Sequence, residues 1–293
     1  MTLRKIIYFL LFVLLTTCVE LAQAGSDPDK PLPPFHIAGN LYYVGNAYAA
    51  NYLIVTPKGN ILINSDFERD VPLIKASIEK LGFKYSDTKV LLISHAHSDH
   101  SGGSALIKAE TKAKYMVMDA DVPVIESGGK KDFQYGGSAD PDNFYQATQV
   151  DRVLHDGDKV TLGTTVLVAL HTGGHTKGCT TWTMEVREKG KTYNVVIVGG
   201  PYVNPGYKLV NNKAYPSIAA DYDHMFRVLN SLPCDIFLGA HGGYFDLEKK
   251  MADMHQGKEN PFVDPKGYKK FIAEKERDFH QELAKQKRGQ VDP

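Results

Sequence analysis

The chain has 293 residues, of which 43% are hydrophobic and 23% are charged, and its 34 Lys and Arg balance 34 Asp and Glu. These proportions are typical of a globular protein and argue against a disordered, collagenous or multi-span membrane chain. The neutral balance also argues against a nucleic-acid partner, because nucleic-acid-binding proteins usually carry a basic excess. Two smaller counts bear on chemistry, namely 11 His, which is high for this length, and only three Cys.

Residues 1–24 have the pattern of a secretory signal peptide. The basic pair Arg4-Lys5 precedes an apolar run over residues 6–15, and Ala22-Gln23-Ala24 supplies the small residues before a cleavage site. The apolar run is too short to span a bilayer, which takes about 20 residues. We therefore expect cleavage after Ala24, a periplasmic protein and no stable membrane partner. A lipoprotein attached through Cys18 is the less favoured alternative.

Residues 25–293 are expected to form a single domain with a large core. After cleavage only Cys179 and Cys234 remain, so the fold cannot depend on a disulfide scaffold. A chain of this length can bury a core large enough for stability. The pattern of elements divides the domain into two halves, roughly residues 35–150 and 151–293.

Apolar periodicity predicts the elements in chain order. In the first half, strands are predicted at 41–44, 51–56, 61–64, 90–94 and 114–118, with a helix over 70–81. In the second half, strands are predicted at 159–162, 165–170, 180–186, 193–198 and just before His241, with helices over 218–232 and 265–287. Strands with interspersed helices, twice over, predict an α/β fold of two packed sheets with helices outside.

The candidate chemistry lies directly after the strand at 90–94, where the chain reads His95-Ala96-His97-Ser98-Asp99-His100. These four ligand-type side chains can converge only where the backbone turns sharply, and Gly102-Gly103 follows to ease such a turn. Imidazole nitrogens with a carboxylate are a ligand set that suits Zn²⁺. The alternative of an exposed polar loop rich in His is disfavoured by this clustering.

This segment is the HxHxDH signature of the metallo-β-lactamase superfamily, which the sequence resembles over nearly all of residues 25–293. The resemblance implies an αβ/βα sandwich, in which two β-sheets pack face to face with helices on the outer faces. It places the metals in a groove at one edge of the sheets. It also implies further ligands at later strand ends, namely His175 in a Gly-His motif and His241.

Within the superfamily, the sequence resembles the third subclass of class B β-lactamases. Thioesterases, lactonases and RNA-processing nucleases of this fold bridge two metals with an Asp between His175 and His241, but residues 189–220 contain no Asp or Glu. The commonest class B subclass has a metal-binding Cys near this place, which Pro201 cannot replace. His100 instead completes the second site, as in the third subclass.

The resemblance implies two Zn²⁺ per chain, each held by three protein ligands. The first triad is His95, His97 and His175, and the second triad is Asp99, His100 and His241. Three protein ligands leave positions open for water and substrate, which is typical of catalytic zinc. The implied activity is zinc-dependent hydrolysis of the β-lactam amide bond, with Asp99 as the catalytic carboxylate that holds the attacking water in line.

Of the other histidines, His171 is expected to support or pack against the ligands. The remaining ones fit no ligand pattern and are expected to be ordinary surface or partly buried residues; these are His36, His155, His224, His255 and His280.

The resemblance also implies that the loop at 199–207 faces the groove. Asn204 is the candidate to bind the substrate carboxylate or carbonyl, and Tyr207 is the candidate to bind substrate and to assist the developing oxyanion by hydrogen bonding. Many relatives carry Ser in this loop, whereas this chain has Gly200-Pro201-Tyr202-Val203. The alternative interpretation of residues 204–206 is a plain turn.

Some relatives pair a Cys at position 234 with one in the C-terminal helix, where this chain has Tyr268. We therefore expect no disulfide, unless Cys179 lies close to Cys234.

Two other functions stay open. One is an exported metallohydrolase of the same fold that acts on a lactone or thioester, and the other is a non-catalytic zinc-binding envelope protein. For the leading hypothesis, a secreted β-lactamase conferring antibiotic resistance, the partner is a small β-lactam molecule. We expect a monomer, because no long apolar stripe is left over once the elements are assigned.

Overall fold

Seven strands form the first sheet, in the order in which they follow one another in the chain. The computed structural model describes residues 31–289, so the predicted signal peptide and Cys18 lie outside the described residues. The strands are β1 (Phe35–Ala38), β2 (Leu41–Tyr43), β3 (Tyr52–Thr56), β4 (Gly59–Ile63), β5 (Thr88–Leu92), β6 (Lys114–Met118) and β7 (Arg152–Leu154). β1 to β4 are antiparallel neighbours, whereas β4 to β7 pair in parallel.

Five strands form the second sheet, in the order β12-β11-β10-β9-β8. They are β8 (Lys159–Leu162), β9 (Thr165–His171), β10 (Thr180–Glu188), β11 (Lys191–Val198) and β12 (Ile236–Gly239). All neighbours are antiparallel except β11 and β12, which pair in parallel. The change from one sheet to the other therefore falls between β7 and β8, a few residues later than the expected division at 150.

Seven α-helices accompany the sheets in the described part of the chain. They are α1 (Val71–Lys80), α2 (Ser98–Ser101), α3 (Ser104–Thr111), α4 (Val122–Glu126), α5 (Ile218–Ser231), α6 (Leu247–His255) and α7 (Pro265–Lys287). Among residues 31–289, no helix is both long enough and apolar enough to cross a membrane.

The central strands of the first sheet, β3 to β5, are buried on both faces and divide their side chains between two cores. Alternate residues of β3 and β4, such as Ile54 and Ile61, belong to the core that also contains Phe226 of α5 and Phe279 of α7. Their neighbours on the opposite face, such as Leu62, pack with α1 in a separate core. Burial on both faces explains why these strands read as nearly continuous apolar runs. The layered α/β sandwich predicted from the sequence is confirmed.

A candidate dinuclear metal centre

The end of β5 and the short helix α2 together place four of the predicted ligands. His95 and His97 follow β5, and His97 has extended backbone angles, φ −74° and ψ 155°, directly before α2. The Oγ of Ser101 donates to the main-chain oxygen of His97 at 2.7 Å. This single helical turn folds the chain back, so that Asp99 and His100 lie beside the two preceding histidines.

Gly103 is required by a close approach to the turn that follows β4. A Cβ added at Gly103 would lie 2.5 Å from the main-chain oxygen of Ser65. Gly102 and Gly103 have φ of −58° and −81°, so neither needs the left-handed region. The glycines therefore permit the sharp turn through their lack of volume, and not through an unusual backbone conformation.

The first predicted triad is assembled. The nitrogens that His95, His97 and His175 can offer to a metal lie within 4.8 Å of one another. Nδ1 of His175 lies 2.9 Å from the main-chain oxygen of Tyr202. Because a carbonyl oxygen only accepts, this nitrogen carries the proton, and Nε2 is left with its lone pair for a metal.

The second predicted triad is also assembled, at the adjacent position. Nε2 of His100 lies 3.1 Å from Nε2 of His241, which follows β12. Oδ2 of Asp99 lies 3.4 Å from the His100 nitrogen and 3.7 Å from the His241 nitrogen. The rings of His95 and His100 have centroids 4.2 Å apart, so the two triads adjoin each other.

Several ring nitrogens in this cluster are buried without a hydrogen-bond partner. They include both ring nitrogens of His95, Nε2 of His97, and Nδ1 of His100 and of His241. A buried polar atom without a partner costs free energy, and native proteins rarely leave one unexplained. Neutral imidazoles and a carboxylate that converge in this way are the donor set of a zinc site, so the residues present fit Zn²⁺.

Burial keeps the histidines in the form that a metal requires. It lowers the pKa of His97 to about 4, and it lowers the pKa of His175 and of His241 to about 3. Burial alone would raise the pKa of Asp99, but the charge and hydrogen bond of His100, with the charge of His241, hold this pKa well below its usual range. At neutral pH His97, His175 and His241 are therefore neutral imidazoles, and Asp99 is an ionised carboxylate.

Four of the six predicted ligands line a groove of about 550 Å³, namely His97, Asp99, His175 and His241. Asn204, predicted as a substrate contact, lines this groove, and its Nδ2 donates to the hydroxyl of Tyr135 at 3.1 Å. The exposed Asp140 and Asp142 line it from another loop. A larger concavity, about 900 Å³, lies over β8 to β11 and contains none of the predicted ligands. The groove at the histidines is therefore the candidate substrate site.

Contrary to the prediction, Tyr207 does not line the groove. The residue is only 2% exposed, and its hydroxyl donates to the main-chain oxygen of His175 at 2.8 Å. With its hydroxyl engaged behind the first triad, Tyr207 supports a ligand residue and is not placed to contact substrate. The predicted role at the oxyanion is therefore corrected.

Two further residues lie close to the ligands and were not predicted from the sequence. The ring of Tyr48 lies 4.5 Å from that of His241, and burial, followed by the charge of Asp99 and a hydrogen bond to it, raises the pKa of Tyr48. Oδ2 of Asp132 lies 3.8 Å from Nε2 of His97. Neither residue belongs to a sequence motif, so nothing in the chain's pattern marks them.

The expectation that His171 supports the ligands is consistent with its contact. Its Nε2 lies 2.7 Å from the main-chain oxygen of Lys177, in the turn that follows His175. The expectation of no disulfide is confirmed for the described residues, where Cys179 and Cys234 are both free.

Comparison with known proteins agrees with this geometry. A family model described as the metallo-beta-lactamase superfamily matches residues 45–187. The solved native metallo-β-lactamase FEZ-1 from Legionella gormanii is 61% identical, with a TM-score of 0.87 over 88% of this chain and 98% of that chain. The chain belongs to the metallo-β-lactamase superfamily. The family resemblance that the sequence predicted is thereby confirmed.

Two further similarities are to proteins with lower sequence identity. LRA-12, described as a class B3 di-zinc metallo-β-lactamase from an Alaskan soil metagenome, is 36% identical, with a TM-score of 0.82 over 88% of this chain and 97% of that chain. A curated protein of Burkholderia pseudomallei (strain 1710b), named as a probable metallo-hydrolase, is 32% identical over 92 residues, which are 31% of this chain and 30% of that protein. The chain thus matches less than a third of the length of this curated relative.

Proposed function

We propose that the chain is a β-lactamase that binds two Zn²⁺ and hydrolyses the amide bond of the β-lactam ring. The observation that carries the proposal is the convergence of six predicted ligand residues in two adjacent triads, four of which line one groove. High identity to a named metallo-β-lactamase across nearly its whole length supports this substrate class. The zinc count is supported by the two triads and by the di-zinc description of a relative.

Bound zinc supplies Lewis acidity and lowers the pKa of water enough to make a nucleophile near neutral pH. The chain's own groups complete the site. The ionised Asp99 is placed to orient the attacking water by accepting a hydrogen bond from it, because its carboxylate adjoins the nitrogens of His100 and His241. The amide of Asn204 is placed to donate to the substrate carboxylate or carbonyl.

The strand end at β11 favours a β-lactam over a lactone or thioester as substrate. Relatives that act on those esters bridge two metals with an Asp in this part of the chain, whereas residues 199 and 200 are both Gly here. A Cβ at Gly200 would lie 2.7 Å from the ring of His175. The backbone of Gly200 packs directly against the imidazole of His175. A side chain that could bridge two metals therefore does not fit at position 200.

Metal analysis combined with substrate assays tests the proposal. The chain without residues 1–24 is expected to bind two Zn²⁺ and to hydrolyse a chromogenic cephalosporin far faster than an acyl lactone or a thioester. Removal of zinc with a chelator should abolish hydrolysis, and added zinc should restore it. A His95→Ala variant is the inactive control. Two bound zinc ions without β-lactam hydrolysis would refute the proposal and favour one of the two alternatives.

We further propose that the protein is a monomer exported to the periplasm, where it confers resistance to β-lactam antibiotics. The pattern of residues 1–24 supports export. Expression of the full chain in a sensitive host should raise the antibiotic concentration that the host survives, and a chain without residues 1–24 should not protect. Activity confined to the cytoplasmic fraction would contradict the export proposal, and a dimer in size-exclusion chromatography would contradict the monomer.

A further inference from the structure

A buried carboxylate lies behind the first triad, outside the groove. Asp121 is 1% exposed and lies directly before α4. Its Oδ2 accepts from the main-chain N–H of Ala96 at 2.9 Å and from Oγ1 of Thr176 at 2.7 Å. Its Oδ1 accepts from the main-chain N–H of Gly178 at 2.7 Å. One side chain thus collects three hydrogen bonds from two different loops.

These two loops are the ones that carry the first triad. Ala96 stands between His95 and His97, whereas Thr176 and Gly178 directly follow His175. The distances between the three imidazoles therefore depend on how the two loops are joined. Hydrogen bonds to an ionised carboxylate are shorter and about twice as strong as those between neutral groups. Asp121 therefore holds the two loops together strongly.

The residues around Asp121 leave room for its carboxylate. A Cβ at Gly178 would lie 2.5 Å from the main-chain nitrogen of Asp121 and 2.7 Å from its Cβ. The opposite side of Ala96 is also held, because the hydroxyl of Tyr145 donates to its main-chain oxygen at 2.7 Å. The main chain of Ala96, which links His95 to His97, is therefore held at both its N–H and its C=O.

We propose that Asp121 is a positioning residue for the first zinc site, because it joins Ala96 to the turn at Thr176 and Gly178. In this role it holds His95, His97 and His175 at the separation that binds zinc. The inference rests on the proposed metal centre but does not depend on a β-lactam as the substrate.

The variant Asp121→Asn keeps the size of the side chain and removes one acceptor. Whichever way the amide is turned, its NH₂ faces at least one of the three donors, so a hydrogen bond is replaced by a repulsion. The loops should separate slightly while the two cores stay packed. Loss of a residue that supports metal ligands typically weakens metal binding about 10- to 100-fold, and we expect a loss in this range.

The experiment measures zinc affinity without any substrate. Asp121→Asn is combined with His241→Ala, so that zinc binding reports the first triad, and the dissociation constant is measured by competition with a chromophoric chelator. Asp119→Asn, at an exposed carboxylate two positions away, is the matched control and should bind zinc like the parent. In the chain with an intact His241, excess zinc should restore the hydrolytic activity that Asp121→Asn loses at low zinc.

Thermal unfolding of the zinc-free variants checks that they fold. If Asp121→Asn does not fold, Thr176→Val removes one of the three donors at nearly constant volume and is expected to weaken zinc binding several-fold. A dissociation constant within about twofold of the parent for the folded variant would overturn the inference, as would an equal loss in Asp119→Asn.

Discussion

Nε2 of His100 and Nε2 of His241 lie 3.1 Å apart, although the two residues are 141 positions apart in the sequence. His100 belongs to α2 and His241 follows β12, so the contact joins the two halves of the chain at the edge of the sandwich. Two ring nitrogens at this distance can share one proton or one cation, but two N–H groups would repel each other. Without zinc, the cluster should therefore tolerate acid poorly.

The zinc-free protein is expected to lose stability as the pH falls below about 6.5. Burial lowers the pKa of His97 to about 4, and of His175 and His241 to about 3, from an ordinary value of 6.5. Between these values the unfolded chain binds more protons than the folded one. Each such histidine then contributes a slope of at most about 1.4 kcal/mol per pH unit, with stability fully present above about pH 6.5.

Asp121 acts with the opposite sign, because burial raises its pKa to about 6 and its contribution grows as the pH falls. Burial also raises the pKa of Asp132 and lowers the pKa of His95, so two carboxyl groups oppose four histidines and the net trend should follow the histidines. Urea unfolding after chelator treatment, at about pH 7.5 and about pH 5, measures the effect. A midpoint that does not decrease at the lower pH would contradict the prediction.

Asp99→Asn should impair turnover far more than zinc binding by the first triad. The amide keeps the volume of the side chain but loses the negative charge and one of the two oxygens that orient the attacking water, and a misplaced reactant can cost about 100-fold in rate. Steady-state kinetics and chelator competition on the same preparation separate the two effects. Asp140→Asn, at an exposed carboxylate that also lines the groove, is the control and should keep its activity. Unchanged turnover in Asp99→Asn would disprove the assigned role.

Tyr207→Phe should lower stability without impairing catalysis by the zinc-loaded protein. The substitution removes the buried hydrogen bond to the main-chain oxygen of His175, which is expected to cost about 1–2 kcal/mol. Turnover per bound zinc should stay within about twofold of the parent, because the hydroxyl does not reach the groove. A tenfold or greater loss of kcat at full zinc occupancy would restore the oxyanion role that the sequence suggested.

The sequence predicts the long elements well and the short ones poorly. α7 begins and ends where expected, since it starts at Pro265 and its apolar residues recur at helical spacing; the side chain of Asp264 also accepts from Gly267 N at its start. β7 has only three residues, two of them exposed, so it carries no alternating pattern. α2 is a four-residue turn whose formation depends on distant contacts, such as the hydrogen bond from Ser65 N to His100 O.

The residues of the site also fall into a group that the sequence predicts and a group that it does not. The convergence of the six predicted ligands could be anticipated, because their spacing and strand-end positions form a family signature. The roles of Tyr207 and Asp121 could not be, because each is decided by a contact with a distant part of the chain. The hydroxyl of Tyr207 meets the backbone 32 positions away, and Asp121 meets Gly178 57 positions away. Residue spacing carries no information on which side of a loop such side chains occupy.

Asn204→Ala should raise KM with little change in kcat. Asn204 lines the groove, and its amide donates to the hydroxyl of Tyr135, so a donor is already held in place at the site. A hydrogen bond to a charged carboxylate typically contributes about 1.5–3 kcal/mol, and we therefore expect KM to rise about 10-fold or more. The zinc content and the unfolding temperature should stay as in the parent.

Two comparisons distinguish this role from a plain turn at residues 204–206. Asn230→Ala, at an exposed asparagine on α5, is the matched control and should leave both kinetic constants unchanged. Tyr135→Phe removes the acceptor of the Asn204 amide and should change KM less than Asn204→Ala, because the donor itself is kept. If Asn204→Ala lowers the unfolding temperature while KM stays constant, residues 204–206 serve only as a turn, and the substrate contact lies elsewhere in the groove.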